Sequence, residues 1–96
     1  MDQKKVQSHC DELRDLIGLG PGRNPEMLLK TLTIVRSLRG AAEWEFPQQI
    51  LDDLRERLAV WFRDRVWRGD SAELHRALMQ DLAQLCASWE RPKDDG

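Results

Sequence analysis

The stretch PQQILDDLRERLAVWFRDRVWR, residues 47–68, decides the fold. Ile50, Leu51, Leu54, Leu58, Trp61, Phe62 and Val66 recur at spacings of three and four, which gathers them on one side of an α-helix. Pro47 suits the first helical position, where a backbone N–H would have no intrahelical partner. The stripe is wider and more apolar than any other in the chain, so this segment is expected to be the central helix of an all-α bundle.

Two apolar residues do not fit that stripe. Val60 and Trp67 are seven residues apart, hence on one line, and they project nearly opposite the middle of the stripe. Asp53, Glu56, Arg57, Arg63 and Asp64 surround them. Three arrangements account for such a pair. Trp67 folds over the end of the bundle, or the helix is wrapped on both sides, or the pair forms a strip for another protein. Trp and Arg are enriched among residues that dominate binding energy, which favours including Arg63 in such a strip. Trp44, beside a bend before the helix, would extend the same surface. The chain holds four tryptophans and no tyrosine.

Working outward, the remaining segments supply three more helices. In DQKKVQSHCDELRDLI, Val6, Cys10, Leu13 and Ile17 make a narrow seam, Leu16 flanks it, and Asp2 is a candidate N-cap. GLGPGRNP then interrupts with three glycines and two prolines, and Gly18 or Gly20 is expected to take a left-handed C-terminal conformation. Asn24 as cap and Pro25 at the first position open a second helix to Arg39, ended by Gly40. Its stripe is Leu28, Thr31, Leu32, Val35 and Leu38, widened by Met27 and Ile34. GAAEWEFP reads as a bend, because Phe46 precedes proline and is pushed from the α region. A short helical turn over Ala41–Glu45 is the close alternative. Trp44 and Phe46 are expected to close one end of the core.

Gly69 is expected to stop the third helix, with Asp70 and Glu73 forming a capping box for a fourth. That helix presents Leu74, Leu78, Leu82, Leu85 and Trp89 on one face, flanked by Met79 and Cys86, and ends before Pro92. The expected organisation is a single helical domain over residues 1–91 and a polar, frayed tail over 92–96. Short connections favour antiparallel neighbours, hence a small bundle of about four helices or an orthogonal helical domain.

Composition narrows the function classes. Net charge is −2, from 15 basic and 17 acidic residues, so no overall positive field draws the molecule to a polyanion. Residues 23–68 are mildly basic and the C-terminal part acidic, an imbalance too small to imply nucleic acid. Cys10 and Cys86 do not make a disulfide framework, and each falls on an apolar stripe, so both are expected as buried, reduced thiols. No apolar run approaches a membrane span and the N-terminus lacks a leader pattern, so a cytoplasmic location without membrane association is expected.

Residues suited to chemistry do not assemble into a motif. His75 and Cys86 lie about 16 Å apart along one helix at a rise of ~1.5 Å per residue, too far to share an ion. GLGPGR follows a helix rather than a strand and lacks the lysine of a phosphate loop. Asp52 and Asp53 stand next to Arg55, Glu56 and Arg57, a pattern that ordinarily forms ion pairs on a solvated face. No catalytic residue, metal or cofactor is assigned, and the chain is not expected to be an enzyme.

Nucleic acid is the strongest rival, carried by Arg55, Arg57, Arg63, Arg65 and Arg68 with tryptophans between them. Asp52, Asp53, Glu56 and Asp64 are interspersed among those arginines and weaken it. The reading that remains is a protein–protein interaction module, a small regulatory adaptor or inhibitor. A homodimer built across the third helix would bring Arg63 and Arg65 of one chain near carboxylates of the other.

Overall fold

The computed structural model describes residues 1–63 and 68–92 of the chain. Asp64, Arg65, Val66, Trp67, the side chain of Arg68 and residues 93–96 lie outside the described residues. The described part is all-α, a bundle of four helices: α1 (Gln3–Ile17), α2 (Pro25–Ala41), α3 (Glu45–Arg63) and α4 (Arg68–Ser88). No strand occurs among the described residues. Helix α3 is central, packing most extensively against α2 and α4, while α1 closes the bundle against the other sides of those two.

The seams read from spacing are the core. Val6, Cys10, Leu13 and Ile17 of α1 are fully buried, and on α3 Ile50, Leu51, Leu54, Leu58, Trp61 and Phe62 are all buried. Leu78, Leu82, Leu85 and Trp89 complete the packing from the α4 side, with Leu74 and Met79 partly buried against them. On α2 the buried face is Thr31, Ile34, Val35 and Leu38. Ile34, expected at the edge, lies inside, whereas Leu28 and Leu32 are only half-buried. Thr31 is buried at no polar cost because its hydroxyl donates to the Leu28 carbonyl at 2.9 Å.

Two of the predicted N-caps are present. The Asp2 carboxylate accepts from the Lys5 amide at 2.9 Å, and the Asn24 side chain accepts from the Met27 amide at 3.2 Å. Each satisfies one of the amides that open a helix without a partner.

Several boundaries differ from the sequence reading. Gly40 does not end α2, which continues to Ala41, because Ala41 and Ala42 pack partly against the core and outweigh glycine's poor helix propensity. Helix α3 begins at Glu45 rather than Pro47, so Phe46 is helical and Pro47 is the third residue of the helix. Proline costs no hydrogen bond there, since the first four amides of a helix have no intrahelical acceptor. Residues 42–44 form the bend, with no separate helical turn over Ala41–Glu45. Phe46 does not close the core: it is 50% exposed and stacks on Trp44 with ring centroids 5.8 Å apart.

The expected capping box at Asp70 is also absent. Helix α4 already starts at Arg68 and runs through Gly69, so Asp70 lies within its first turn, where a carboxylate complements the positive end of the helix dipole. Gly18 and Gly20 are not left-handed either. Gly18 is right-handed at φ −64°, and among the described residues the one positive φ is at Gly22, 134°.

The loop after α1 folds onto the C-terminal end of α3. The Gly22 amide donates to the Trp61 carbonyl at 3.0 Å and the Asn24 amide to the Phe62 carbonyl at 2.6 Å, while the Trp61 indole N–H returns to the Ile17 carbonyl at 3.0 Å. A Cβ on Gly20 would stand 3.2 Å from the Trp61 indole nitrogen and 3.3 Å from the Phe62 ring, so this close approach has little room for a side chain.

Two glycine substitutions separate these roles. Gly40→Ala should raise stability by about 0.5 kcal/mol, because a Cβ there meets no atom within 4 Å and alanine costs less backbone entropy in the last helical turn. Gly22→Ala should lower it by roughly 1–2 kcal/mol, since its Cβ has open space but its positive φ strains any L side chain. Chemical denaturation followed by far-UV circular dichroism reads both, and equal effects of the two would contradict the assignment of helix and loop.

Candidate protein-docking surface

Helix α3 turns one face to the core and the other to solvent. On the outer face Asp52, Glu56, Ala59 and Arg63 follow spacings of four, three and four, placing them on one line. Asp52, Glu56 and Arg63 are exposed and Ala59 half-buried, while Val60 beside them is 41% exposed. The acidic residues occupy the N-terminal half of this line and Arg63 its C-terminal end. Small and apolar groups, Ala59 and Val60, lie between them.

Next to that face runs a groove of about 480 Å³ between α2 and α3. Leu29, Leu32, Val35 and Leu51 supply its apolar lining, and Arg36, Arg39 and Arg55 its basic groups. Leu29 is 68% exposed. It shares a helical line with Leu32, Arg36 and Arg39, at steps of three and four, so an apolar and a basic segment succeed each other along α2. Arg39 Nε donates to Asp52 Oδ1 at 3.1 Å across one end. Both side chains are exposed, and such a bridge adds little to stability. Sequence reading overlooked Leu29 and this groove. The available signal was the same as for Val60, an apolar residue outside its helix's main stripe.

The sequence-selected residues separate in space. Val60 and Arg63 lie on the outer part of α3, and Trp67 lies outside the described residues. Trp44 is half-buried, and its indole N–H donates to the Ser88 carbonyl at 2.9 Å, one of the acceptors left without a helical partner at the end of α4. Trp89 donates to the Met1 carbonyl at 3.1 Å. All three described tryptophans therefore direct their N–H groups to carbonyls of their own chain. Phe46, stacked on Trp44, carries the more exposed ring of that pair.

Of the arginines proposed as a nucleic-acid set, the described ones, Arg55, Arg57 and Arg63, do not all share one face. Arg55 borders the groove, and Arg63 lies on the outer line. Arg57 points to the α4 side, where Nη1 donates to Asp81 Oδ1 at 2.6 Å and also contacts Oδ2. Arg65 and the Arg68 side chain lie outside the described residues. Asp81 is only 6% exposed. Its burial raises the carboxyl above the ordinary aspartate value, and the Arg57 guanidinium pulls it partly back. The hydrogen bond to Asp81 raises Arg57 in turn. Pairing thus favours Arg57's charge without fully compensating the burial of Asp81.

Other residues suited to chemistry are placed individually. His75 packs its ring against Trp61 at a centroid distance of 5.7 Å. Among the described residues no group of three His, Cys, Asp or Glu side chains is placed to hold a metal ion, and no helix is long and apolar enough to cross a membrane. Comparison with protein-family models, with curated proteins and with solved structures finds no match to this chain.

Proposed function

We propose that this chain is a non-enzymatic protein–protein interaction module, a small regulatory adaptor or inhibitor that self-associates through the outer face of α3. The observation that carries the reading is the order of groups along that face: Asp52, Glu56, Ala59, Arg63, with Val60 exposed alongside. Two copies of such a line running antiparallel about a two-fold axis set Arg63 of each against Asp52 of the other. The axis falls between Glu56 and Ala59, so each Glu56 lies over the small Ala59 of the other chain, and Val60 loses solvent contact. An isologous contact of this kind uses the same patch on both chains, with opposite charges meeting at its two ends. The neighbouring groove, apolar within and arginine-bearing at its sides, suits an amphipathic helix of a partner protein with acidic residues flanking its apolar stripe.

Sedimentation velocity over a concentration series tests the self-association. Val60→Glu should weaken the dimer about tenfold, equivalent to about 1.4 kcal/mol, with unchanged helical content. Arg63→Glu should weaken it as well, and adding Asp52→Arg in the same chain should restore it, since the swap recreates opposite charges across the axis. A wild-type chain that stays monomeric throughout, or a swap that restores nothing, would remove this interface. Binding to duplex or single-stranded nucleic acid that falls steeply with salt would support the competing reading instead.

A further inference from the structure

The N-terminal half of α1 lies beside the C-terminal half of α4, and this brings together two residues 76 positions apart in the chain. Cys86 Sγ is 3.2 Å from Cys10 Sγ. Two contacts hold that register: the Gln3 side-chain amide donates to the Cys86 carbonyl at 2.8 Å, and the Trp89 indole donates to the Met1 carbonyl at 3.1 Å. Cys10 is buried, with its thiol 3.9 Å from the Leu82 carbonyl, whereas Cys86 is only half-buried. The expectation of buried thiols holds for Cys10, while Cys86 is half-buried and in contact with it.

We propose that Cys10 and Cys86 are a thiol–disulfide exchange site that closes to an intramolecular α1–α4 disulfide on reaction with a low-molecular-weight disulfide. The less buried of the two cysteines reacts first. Cys86, as thiolate, attacks one sulfur of the small disulfide, breaks its S–S bond and forms a mixed disulfide, releasing one small thiolate that takes up the proton Cys86 lost. Cys10 then gives up its proton and attacks the Cys86 sulfur, expelling the second small thiolate, which is protonated in turn. The two protein thiols are oxidised to one disulfide while the small disulfide is reduced to two thiols. Burial and the adjacent Cys86 raise Cys10's pKa, which keeps it protonated while Cys86 reacts and makes the second step the slower one. Closing from the present separation to a bond of ~2.05 Å requires about 1.2 Å of movement, within reach of side-chain rotation and small helix shifts.

The experiment treats the folded chain with oxidised glutathione and follows intact mass, thiol content and thermal unfolding. The wild type should lose two hydrogens in mass, show no titratable thiol after denaturation and remain uncrosslinked between chains. Its Tm should rise by about 10 °C, since the bond closes a long loop, and fall back on reduction. Cys10→Ala should stop at a glutathione adduct on Cys86. Cys86→Ser, altered at the more accessible position, should neither close nor form an adduct. A stable adduct on the wild type, dimers linked through sulfur, no reaction, or closure without any change in Tm would each overturn the proposal.

Discussion

Trp61→Ala should lower the unfolding free energy by about 4 kcal/mol, within the usual range for truncating a buried aromatic side chain. The residue is 2% exposed, its ring packs on His75, and Gly20 of the α1–α2 loop approaches its indole closely. Removing the indole leaves a cavity where α3, α4 and that loop meet. The polar loss is smaller, because the Ile17 carbonyl keeps a second donor, the Gly20 amide at 3.2 Å. Trp61→Phe, which retains most of the ring volume, should therefore cost only about 1–2 kcal/mol. A domain of this size has roughly 5–10 kcal/mol in all, so the alanine variant would be marginal at room temperature. Denaturant unfolding followed by far-UV circular dichroism decides the matter. A loss below about 1 kcal/mol for alanine would mean that the ring contributes little to the core.

Arg57→Ala should cost about 2 kcal/mol near neutral pH, less than a fully buried pair because the arginine side chain is 39% exposed. The loss arises from Asp81, which is left buried without its ionic partner. Its pH dependence distinguishes this cause from loss of packing. In the wild type the carboxyl stands above its ordinary value, so its own contribution to stability is present below the unfolded-state pKa and is lost as pH rises through the folded one. Taking Arg57 away removes the influence that lowers the carboxyl, and the folded pKa climbs further. The variant's deficit is consequently complete above that higher value. It shrinks as pH falls through it, and vanishes once Asp81 is neutral in both proteins. A deficit independent of pH from neutral into the acid range would show that only the arginine's packing matters. Arg57→Met combined with Asp81→Leu should recover most of the loss, because a well-packed apolar pair leaves no charge to desolvate.

Local periodicity determined the all-α class, the α1 seam, the α3 stripe as far as Phe62 and the Asp2 and Asn24 caps. Each follows from spacings or hydrogen bonds spanning only a few residues, which any chain segment carries with it. The place of Val60 outside the α3 stripe was legible in the same way, and the residue is exposed in the fold.

Tertiary structure alone decided where α2 ends, where α3 begins and which distant groups meet. Gly40 stays helical because Ala41 and Ala42 have core to pack against, and Gly22 is left-handed because the loop must reach the α3 carbonyls. The Arg57–Asp81 pair and the Cys10–Cys86 contact join residues on different helices. The groove beside Leu29 is lined by residues of both α2 and α3, so neither helix alone forms it. Helix register is written into three- and four-residue spacings, but the relative placement of helices depends on how whole side-chain surfaces interlock, and no local window contains both surfaces.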